Sequence, residues 1–211
     1  MKRLWLVVTA LVGIHVVLTI VHYQFQEIPW LFRQIFDVDE EDSFPTWYSA
    51  SALLLTATVL WVQANLTKSQ RDPMAPAWRG LAVGFLFLSV DEIAGMHEML
   101  NSVTEISWAV PGGVVAAVVG VVYGRFLLKL PRRIAVWFCV AGGIYVGGAV
   151  GIELLTEPFL INDALDTLPY NIWTAVEEGM EMGGVLLFLN ALIGHMTNEA
   201  PETVLRIKLG R

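Results

Sequence analysis

Repeated apolar runs about 20 residues long constrain the fold of this 211-residue chain more than any other feature. A helix of roughly 20 apolar residues crosses the ~30 Å hydrocarbon core of a bilayer. Helices also satisfy their own backbone hydrogen bonds there, where water is absent. The sequence therefore predicts an all-α, six-span transmembrane bundle that forms one integral-membrane domain over residues 1–211. The six runs fall at about 4–22, 46–66, 80–100, 108–129, 133–155 and 170–194.

The composition agrees with a membrane domain and leaves no room for a separate soluble one. Hydrophobic residues make up 55% of the chain and charged residues 16%, against about 25% charged in ordinary soluble domains. The single cysteine, Cys139, lies inside an apolar run, so no disulfide framework exists. Apolar residues at helical spacing over 28–36 predict a short amphipathic helix in the membrane interface after the first span.

Basic residues are concentrated on one side of the predicted bundle. Twelve of the 13 Lys and Arg residues flank the same ends of the spans, and Arg33 is the exception. The positive-inside rule then places both termini in the cytoplasm of a bacterial inner membrane. We call this side the basic end and the opposite side the acidic end. The acidic residues in the opposite loops are Asp37, Asp39, Glu40, Glu41, Asp42, Glu157, Asp163 and Asp166.

This charge distribution also limits the partners. With a net charge of −7 and an acidic outer face, the protein attracts cations and repels nucleic acid, so we expect no nucleic-acid partner. The run 37–42 lacks the central glycine and correctly spaced terminal glutamate of a calcium loop, and it is expected to form a solvated acidic turn. Six tryptophans lie near the ends of spans and are typical of an aromatic belt: Trp5, Trp30, Trp47, Trp78, Trp108 and Trp173.

Seven carboxylic residues lie within the apolar runs, and no Lys or Arg accompanies them at the same depth. A charged side chain at the centre of a membrane helix costs about 2.5–3.5 kcal/mol on insertion scales, so such residues mark function. At ~1.5 Å per helical residue, all seven fall in the half of the bundle nearer the acidic end. Metal ions, protons, water or a partner must neutralise them. They are Asp91, Glu92, Glu98, Glu153, Glu177, Glu178 and Glu181.

Helical periodicity indicates which of these side chains converge. Glu177, Glu178 and Glu181 share one arc of the sixth span. In a continuous third span, Asp91, Gly95 and Glu98 share a face, and Glu92 and His97 lie on opposite flanks of it. The expected centre is therefore formed by Asp91, Glu98, Glu178 and Glu181, with Glu153 and His97 as the next candidates.

These residue types predict one or two divalent metal ions, iron, manganese or zinc. The expected ligands are Asp91, His97, Glu98, Glu153, Glu178 and Glu181. Glu177 and Glu92 are not among these ligands and are predicted to be catalytic residues that shuttle protons. Two alternatives stay open, namely protonated carboxyls on a proton or ion pathway, and a cluster neutralised by a partner.

Two segments resemble uncharacterised bacterial polytopic membrane proteins. They are Leu88-Ser89-x-Asp91-Glu92-x4-His97-Glu98 and Glu177-Glu178-x-x-Glu181-Met182-Gly183. The resemblance covers spans three to six. It implies no known activity. It implies only that the acidic residues in these two segments are important for the protein.

The leading hypothesis is a membrane-embedded metalloprotein, with a metal-dependent hydrolase or oxidoreductase acting on a lipid or small apolar substrate as the candidate activity. A cation- or proton-coupled transporter is the first alternative. An accessory subunit of a larger membrane complex, or a homo-oligomer, is the next. A transporter also needs access from the basic end, where the sequence is expected to offer almost no buried polar residue.

Overall fold

The computed structural model describes residues 1–103 and 107–199. These residues form helices and no strand, and 84% of them are helical, which confirms the all-α class. The helices are α1 (Lys2–Gln24), α2 (Trp30–Phe36), α3 (Phe44–Ser69), α4 (Ala75–Ala94), α5 (Met96–Val103), α6 (Ala109–Leu127), α7 (Arg132–Val146), a π-helical segment (Gly147–Ile152), α8 (Glu153–Ile161) and α9 (Leu168–Glu199).

Within the described residues, five helices are long and apolar enough to cross a membrane. They are Lys2–Gln24, Phe44–Ser69, Ala109–Leu127, Arg132–Ile161 and Leu168–Thr197. They match five of the six predicted runs. The third run corresponds to α4, which carries Arg79, Asp91 and Glu92 within 20 residues and is too polar to belong to this set. Six spans and the orientation of the termini therefore stay predictions.

The third predicted span, 80–100, is not one continuous helix. Gly95 adopts a left-handed conformation, with φ of 54°, and ends α4. Glycine is the usual residue at such helix ends because it has no Cβ to clash. The chain restarts as α5 at Met96. The prediction that Asp91, Gly95 and Glu98 share a continuous helical face was therefore wrong.

Helix α9 is the centre of the bundle. Helices α1, α3 and α7 and the π-helical segment pack along it, and α4 packs mainly along α3. Ser89 on α4 donates a hydrogen bond of 2.8 Å to the carbonyl oxygen of Ala50 on α3. The rings of Phe85 and Phe138 contact Phe188 of α9, so α4 and α7 both reach the central helix through aromatic side chains.

The tightest approach in the bundle lies between α7 and α9. A Cβ on Gly184 would lie 2.9 Å from the carbonyl oxygen of Ala141 and from the backbone nitrogen of Tyr145. Glycine thus allows two helix backbones to touch, as small residues do in membrane bundles. The fifth predicted span therefore packs directly against the sixth.

Of the regularly spaced glycines at 143, 147 and 151, only one contacts another helix. Gly147 contacts the side chain of Met180, while Gly143 and Gly151 have open space around them. Gly148 makes the closest contact instead, because a Cβ there would lie 2.8 Å from the carbonyl oxygen of Glu177. The π-helical segment rotates the contact face, since it has more residues per turn than the α-helix assumed from the sequence.

We predict that Gly184→Ala destabilises the protein, because its methyl group would enter the α7 backbone. Overpacking of this kind costs about 1–3 kcal/mol, and unfolding in detergent measures it. Gly194→Ala on the same helix is the matched control, since nothing lies within 4 Å of a Cβ at that position. The control should be neutral or stabilising by up to about 1 kcal/mol. Equal stability of the two variants would contradict the close approach.

Candidate functional site

The carboxylate cluster lies where α4, α5, α8 and α9 meet at the acidic end of the bundle. We use this name for the residues on those helices that interact electrostatically with one another: Asp91, Glu92, His97, Glu153, Glu177, Glu178 and Glu181. Glu181 is the most deeply buried of them, with 9% of its surface exposed, and the others are partly buried. Four separate chain segments therefore contribute to one polar region.

The break at Gly95 turns His97 back toward α4. Its Nδ1 atom lies 3.0 Å from Oδ2 of Asp91. In a continuous helix these two residues, six positions apart, point in different directions. This contact uses the Nδ1 edge of the imidazole ring. His97 acts electrostatically on both Glu153 and Glu181, so it lies within electrostatic reach of α8 and α9.

Two side chains that were not predicted as site residues hold Glu153. Asn101 and Trp108 lie beside its carboxylate and interact with it. The Oδ1 atom of Asn101 in turn accepts the backbone N–H of Trp108 at 2.7 Å, and the indole ring contacts His97 with 4.9 Å between ring centroids. Trp108 is thus part of the site and not only a belt residue.

Glu181 is fixed from two directions. The hydroxyl of Tyr145 on α7 lies close to its carboxylate and interacts with it. On another side, Cγ of Glu181 would lie 3.2 Å from a Cβ at Gly148, so the π-helical segment covers its side chain. Glu178 lies beside Glu181, and both interact with Glu92 from α4. π-Helical segments often occur at functional sites, and this one contacts the cluster directly.

The acidic turn 37–42 folds over the cluster, which corrects the expectation of a fully solvated turn. Val38 is 2% exposed, and its backbone N–H donates to Nδ1 of His15. The hydroxyl of Tyr170 donates to Asp39 at 3.3 Å. The Glu41 carboxylate occupies the space where a Cβ of Gly95 would be. Asp39 also acts electrostatically on Glu177 and Glu178, so the turn adds negative charge to the site.

The other histidines have separate roles. Nε2 of His15 lies 3.2 Å from the carbonyl oxygen of Asn171, so the ring links α1 to α9 beneath the acidic turn. His22 lies 2.9 Å from Nη1 of Arg33 and does not join the cluster. His195 stacks on Trp78 at the basic end, far along α9 from Glu181.

The structure thus brings most of the predicted site residues together. The predicted ligands Asp91, His97, Glu153, Glu178 and Glu181 and the predicted proton shuttles Glu92 and Glu177 all belong to one cluster. The side chain of Glu98 lies outside the described part of the structure. Among the described residues, no three His, Cys, Asp or Glu side chains are already arranged to hold a metal ion. Metal binding therefore stays a hypothesis.

Sequence reasoning missed Tyr145, Asn101 and Trp108 as parts of the site. Asn101 and Trp108 lie near the ends of apolar runs, where polar residues are usually interfacial, and Tyr145 lies in the middle of one. Nothing in the spacing of the three residues links them to the acids. The signal that was available is Gly95 immediately before Met96-His97, which is typical of a helix end. A break at that point would have predicted the contact of His97 with Asp91.

The described chain is an all-helical protein with five helices able to span a membrane and a carboxylate–histidine cluster at one end. It belongs to the family described as "Domain of unknown function (DUF8692)", whose model matches residues 5–195. No curated protein and no solved structure matches the chain. The family description assigns no activity, so the chemistry of the cluster is the basis for a functional proposal.

We predict an energetic coupling between Tyr145 and Glu181 in a double-mutant cycle of Tyr145→Phe and Glu181→Gln. A hydrogen bond to a buried carboxyl is worth about 1 kcal/mol or more. Chemical unfolding in detergent with chelator present measures the coupling free energy. Tyr123→Phe is the control for Tyr145→Phe, because its hydroxyl donates to Ala77 near the basic end. The control cycle should be additive within about 0.5 kcal/mol, and an additive Tyr145 cycle would contradict an interaction between Tyr145 and Glu181.

Proposed function

We propose that this protein is a membrane-embedded metalloprotein in which the carboxylate cluster binds a divalent cation, iron, manganese or zinc. The observation that supports this most strongly is the position of His97, which acts on glutamates from two other helices. The proposed ligands are His97, Glu153 and Glu181. Imidazole and carboxylate ligands together suit these three metals.

The contact between His97 and Asp91 supports the same proposal. Histidines that bind metals usually donate their other ring N–H to a carboxylate, which fixes the tautomer and the ring orientation. Here Nδ1 is paired with Asp91 at 3.0 Å, so Nε2 would be the ligating atom. We therefore assign Asp91 as the residue that orients His97. Glu178, and Glu98 from the sequence prediction, are further candidate ligands.

Electrostatics favours a cation in this place. Several carboxylates converge in a low-dielectric region, and a buried charge is stable only when it is paired. The apolar runs offer no Lys or Arg at this depth. The acidic turn 37–42 adds more negative charge above the cluster. A divalent ion would balance these charges, whereas otherwise the carboxyl groups must hold protons.

A bound metal ion would supply an activated water molecule or a Lewis acid. The residues around it would position the substrate and move protons. Glu177 and Glu92 lie beside the proposed ligands and are the proposed proton shuttles. The cluster lies within the predicted membrane spans, so the proposed substrate is a lipid or a small apolar molecule, and the proposed activity is that of a hydrolase or an oxidoreductase.

Cation- or proton-coupled transport is a second candidate, and one correction to the sequence analysis favours it. The basic half was expected to hold almost no buried polar residue, yet Gln63, Thr67 and His195 are buried there. A fully buried apolar layer that includes Leu53, Met182 and Leu186 separates them from the carboxylate cluster. A transport cycle would have to open this layer, so we place transport second.

We also propose the orientation derived from the basic residues, with six spans, both termini in the cytoplasm and the cluster in the outer half of a bacterial inner membrane. Labelling of a cysteine placed at Asn162, from outside intact cells, tests this orientation. If the protein is instead an accessory subunit or a homo-oligomer, a partner chain would supply the positive charge that neutralises the carboxylates.

We predict that protein purified without chelator carries about one or two divalent metal ions per chain, as measured by elemental analysis. His97→Gln and Glu181→Gln should lose most of the metal, because removal of one ligand weakens the remaining set. Since binding stabilises the folded state, chelation should also lower the unfolding temperature of the wild type.

Glu27→Gln is the control for these variants, because Glu27 is an exposed acid of the acidic end that lies outside the cluster. This variant should keep the wild-type metal content. A wild-type content near zero for iron, manganese and zinc, together with no effect of chelator on unfolding, would contradict the metal proposal. It would favour protonated carboxyls instead.

A further inference from the structure

A second polar site lies at the basic end of the bundle, away from the carboxylate cluster. It is a cavity of about 260 Å³ between the end of α3, the loop that follows it, the start of α4 and the end of α9. Gln70 is exposed, so the cavity reaches the surface of the bundle. The polar and aromatic residues that line it are Gln63, Thr67, Gln70, Asp72, Trp78 and His195.

The inner wall of this cavity is polar although it is buried. Gln63, Thr67 and His195 are each less than 5% exposed. Trp78 is fully buried at 0%, which corrects its interpretation as a belt residue. Its ring stacks on His195 with 5.5 Å between centroids and meets Phe126 edge-on. The indole is therefore held rigidly at the cavity wall.

Two donors at this end lack acceptors. Within the described residues, neither Nε1 of Trp78 nor Nε of Arg79 finds a hydrogen-bond partner, and both atoms are buried. Buried donors are almost always paired, and leaving one unpaired costs free energy. Each atom can donate but cannot accept. A ligand that pairs with these donors therefore has to supply hydrogen-bond acceptors such as oxygen atoms.

The charge around the cavity favours an anion. Lys68 and Arg71 are exposed and flank Gln70 in the sequence, and Arg79 follows Trp78. With Asp72 as the single acid, residues 68–79 carry three positive charges against one negative, a net of +2. One carboxylate oxygen of Asp72 is already engaged, because it accepts the backbone N–H of Met74 at 2.8 Å.

We propose that this cavity binds the phosphate group of an anionic phospholipid headgroup from the membrane leaflet at the basic end. Phosphate oxygens would accept from Trp78 and from the side-chain amide of Gln63 or Gln70, while Lys68 and Arg71 attract the negative charge. Basic pockets between membrane helices on the cytoplasmic side bind anionic headgroups in this way. A soluble phosphate ester offers the same chemistry, and the experiment separates the two sources.

The test measures the unfolding temperature of purified full-length protein in detergent against rising ligand concentration. The ligands are dihexanoyl phosphatidylglycerol, dihexanoyl phosphatidylcholine with the same acyl chains, and glycerol 3-phosphate. Phosphatidylglycerol should raise the unfolding temperature with a saturable dependence, and phosphatidylcholine should do so much less. Stabilisation by glycerol 3-phosphate as well would mean that the phosphate alone is recognised. A response to the lipid only would mean that the acyl chains contribute.

Substitutions in and around the cavity test whether the lipid stabilises the protein by binding there. Trp78→Phe keeps an aromatic ring and removes the donor, so the apparent Kd for phosphatidylglycerol should rise about tenfold, the value of one hydrogen bond to a charged group. The double variant Lys68→Gln/Arg71→Gln changes only exposed side chains and should also bind phosphatidylglycerol more weakly. It tests the proposal even if Trp78→Phe does not fold. Lys129→Gln removes an exposed charge at the same end, outside the cavity, and should bind like the wild type.

The proposal is overturned if phosphatidylcholine stabilises the wild type as strongly as phosphatidylglycerol does. It is also overturned if no ligand stabilises the protein, or if the double variant at 68 and 71 keeps the wild-type affinity.

Discussion

The burial of several carboxyl groups in a low-dielectric bundle is the constraint on which the rest of this structure depends. A buried charge without a partner costs several kcal/mol even after the protein relaxes around it. This chain places Glu92, Glu178 and Glu181 within electrostatic reach of one another in such surroundings. Whatever neutralises them, a cation or protons, stabilises the folded state.

The architecture around the cluster serves to bring these groups together. Gly184 allows α7 to approach α9 closely, which places Tyr145 beside Glu181. Gly95 ends α4 and turns His97 toward Asp91. The acidic turn then covers the cluster, anchored by the buried Val38. Tight packing and helix breaks near a polar site are common where a membrane bundle has to hold a ligand between its helices.

Hydrophobic length and charge predicted most of the fold. Five predicted spans correspond to membrane-length helices, and the seven-residue helix Trp30–Phe36 lies within the predicted amphipathic segment. The prediction of the third span was wrong at Gly95. The apolar pattern continues past this residue, but the helix ends there. The hydrophobic pattern reports which residues avoid water, whereas a left-handed glycine is a local backbone feature that the pattern does not record.

The sequence predicted which acidic residues form the candidate site better than it predicted the contacts between them. Depth and helical periodicity correctly grouped Glu178 with Glu181, since both lie on one regular helix. Contacts that cross between elements, such as Glu153 with Trp108, depend on tertiary packing. The buried Gln63 and Trp78 were missed for a related reason, because a polar residue near a helix end is compatible with either the interface or the core.

We propose that His97 and glutamates from two other helices bind one divalent cation. Pulsed electron paramagnetic resonance of the manganese-loaded protein tests this binding most directly, because it detects the nitrogen of a histidine bound to the ion. A nitrogen coupling is expected in the wild type and in His195→Gln, and its loss is expected in His97→Gln. A manganese signal without histidine nitrogen, or a coupling that persists in His97→Gln, would show that His97 is not a ligand.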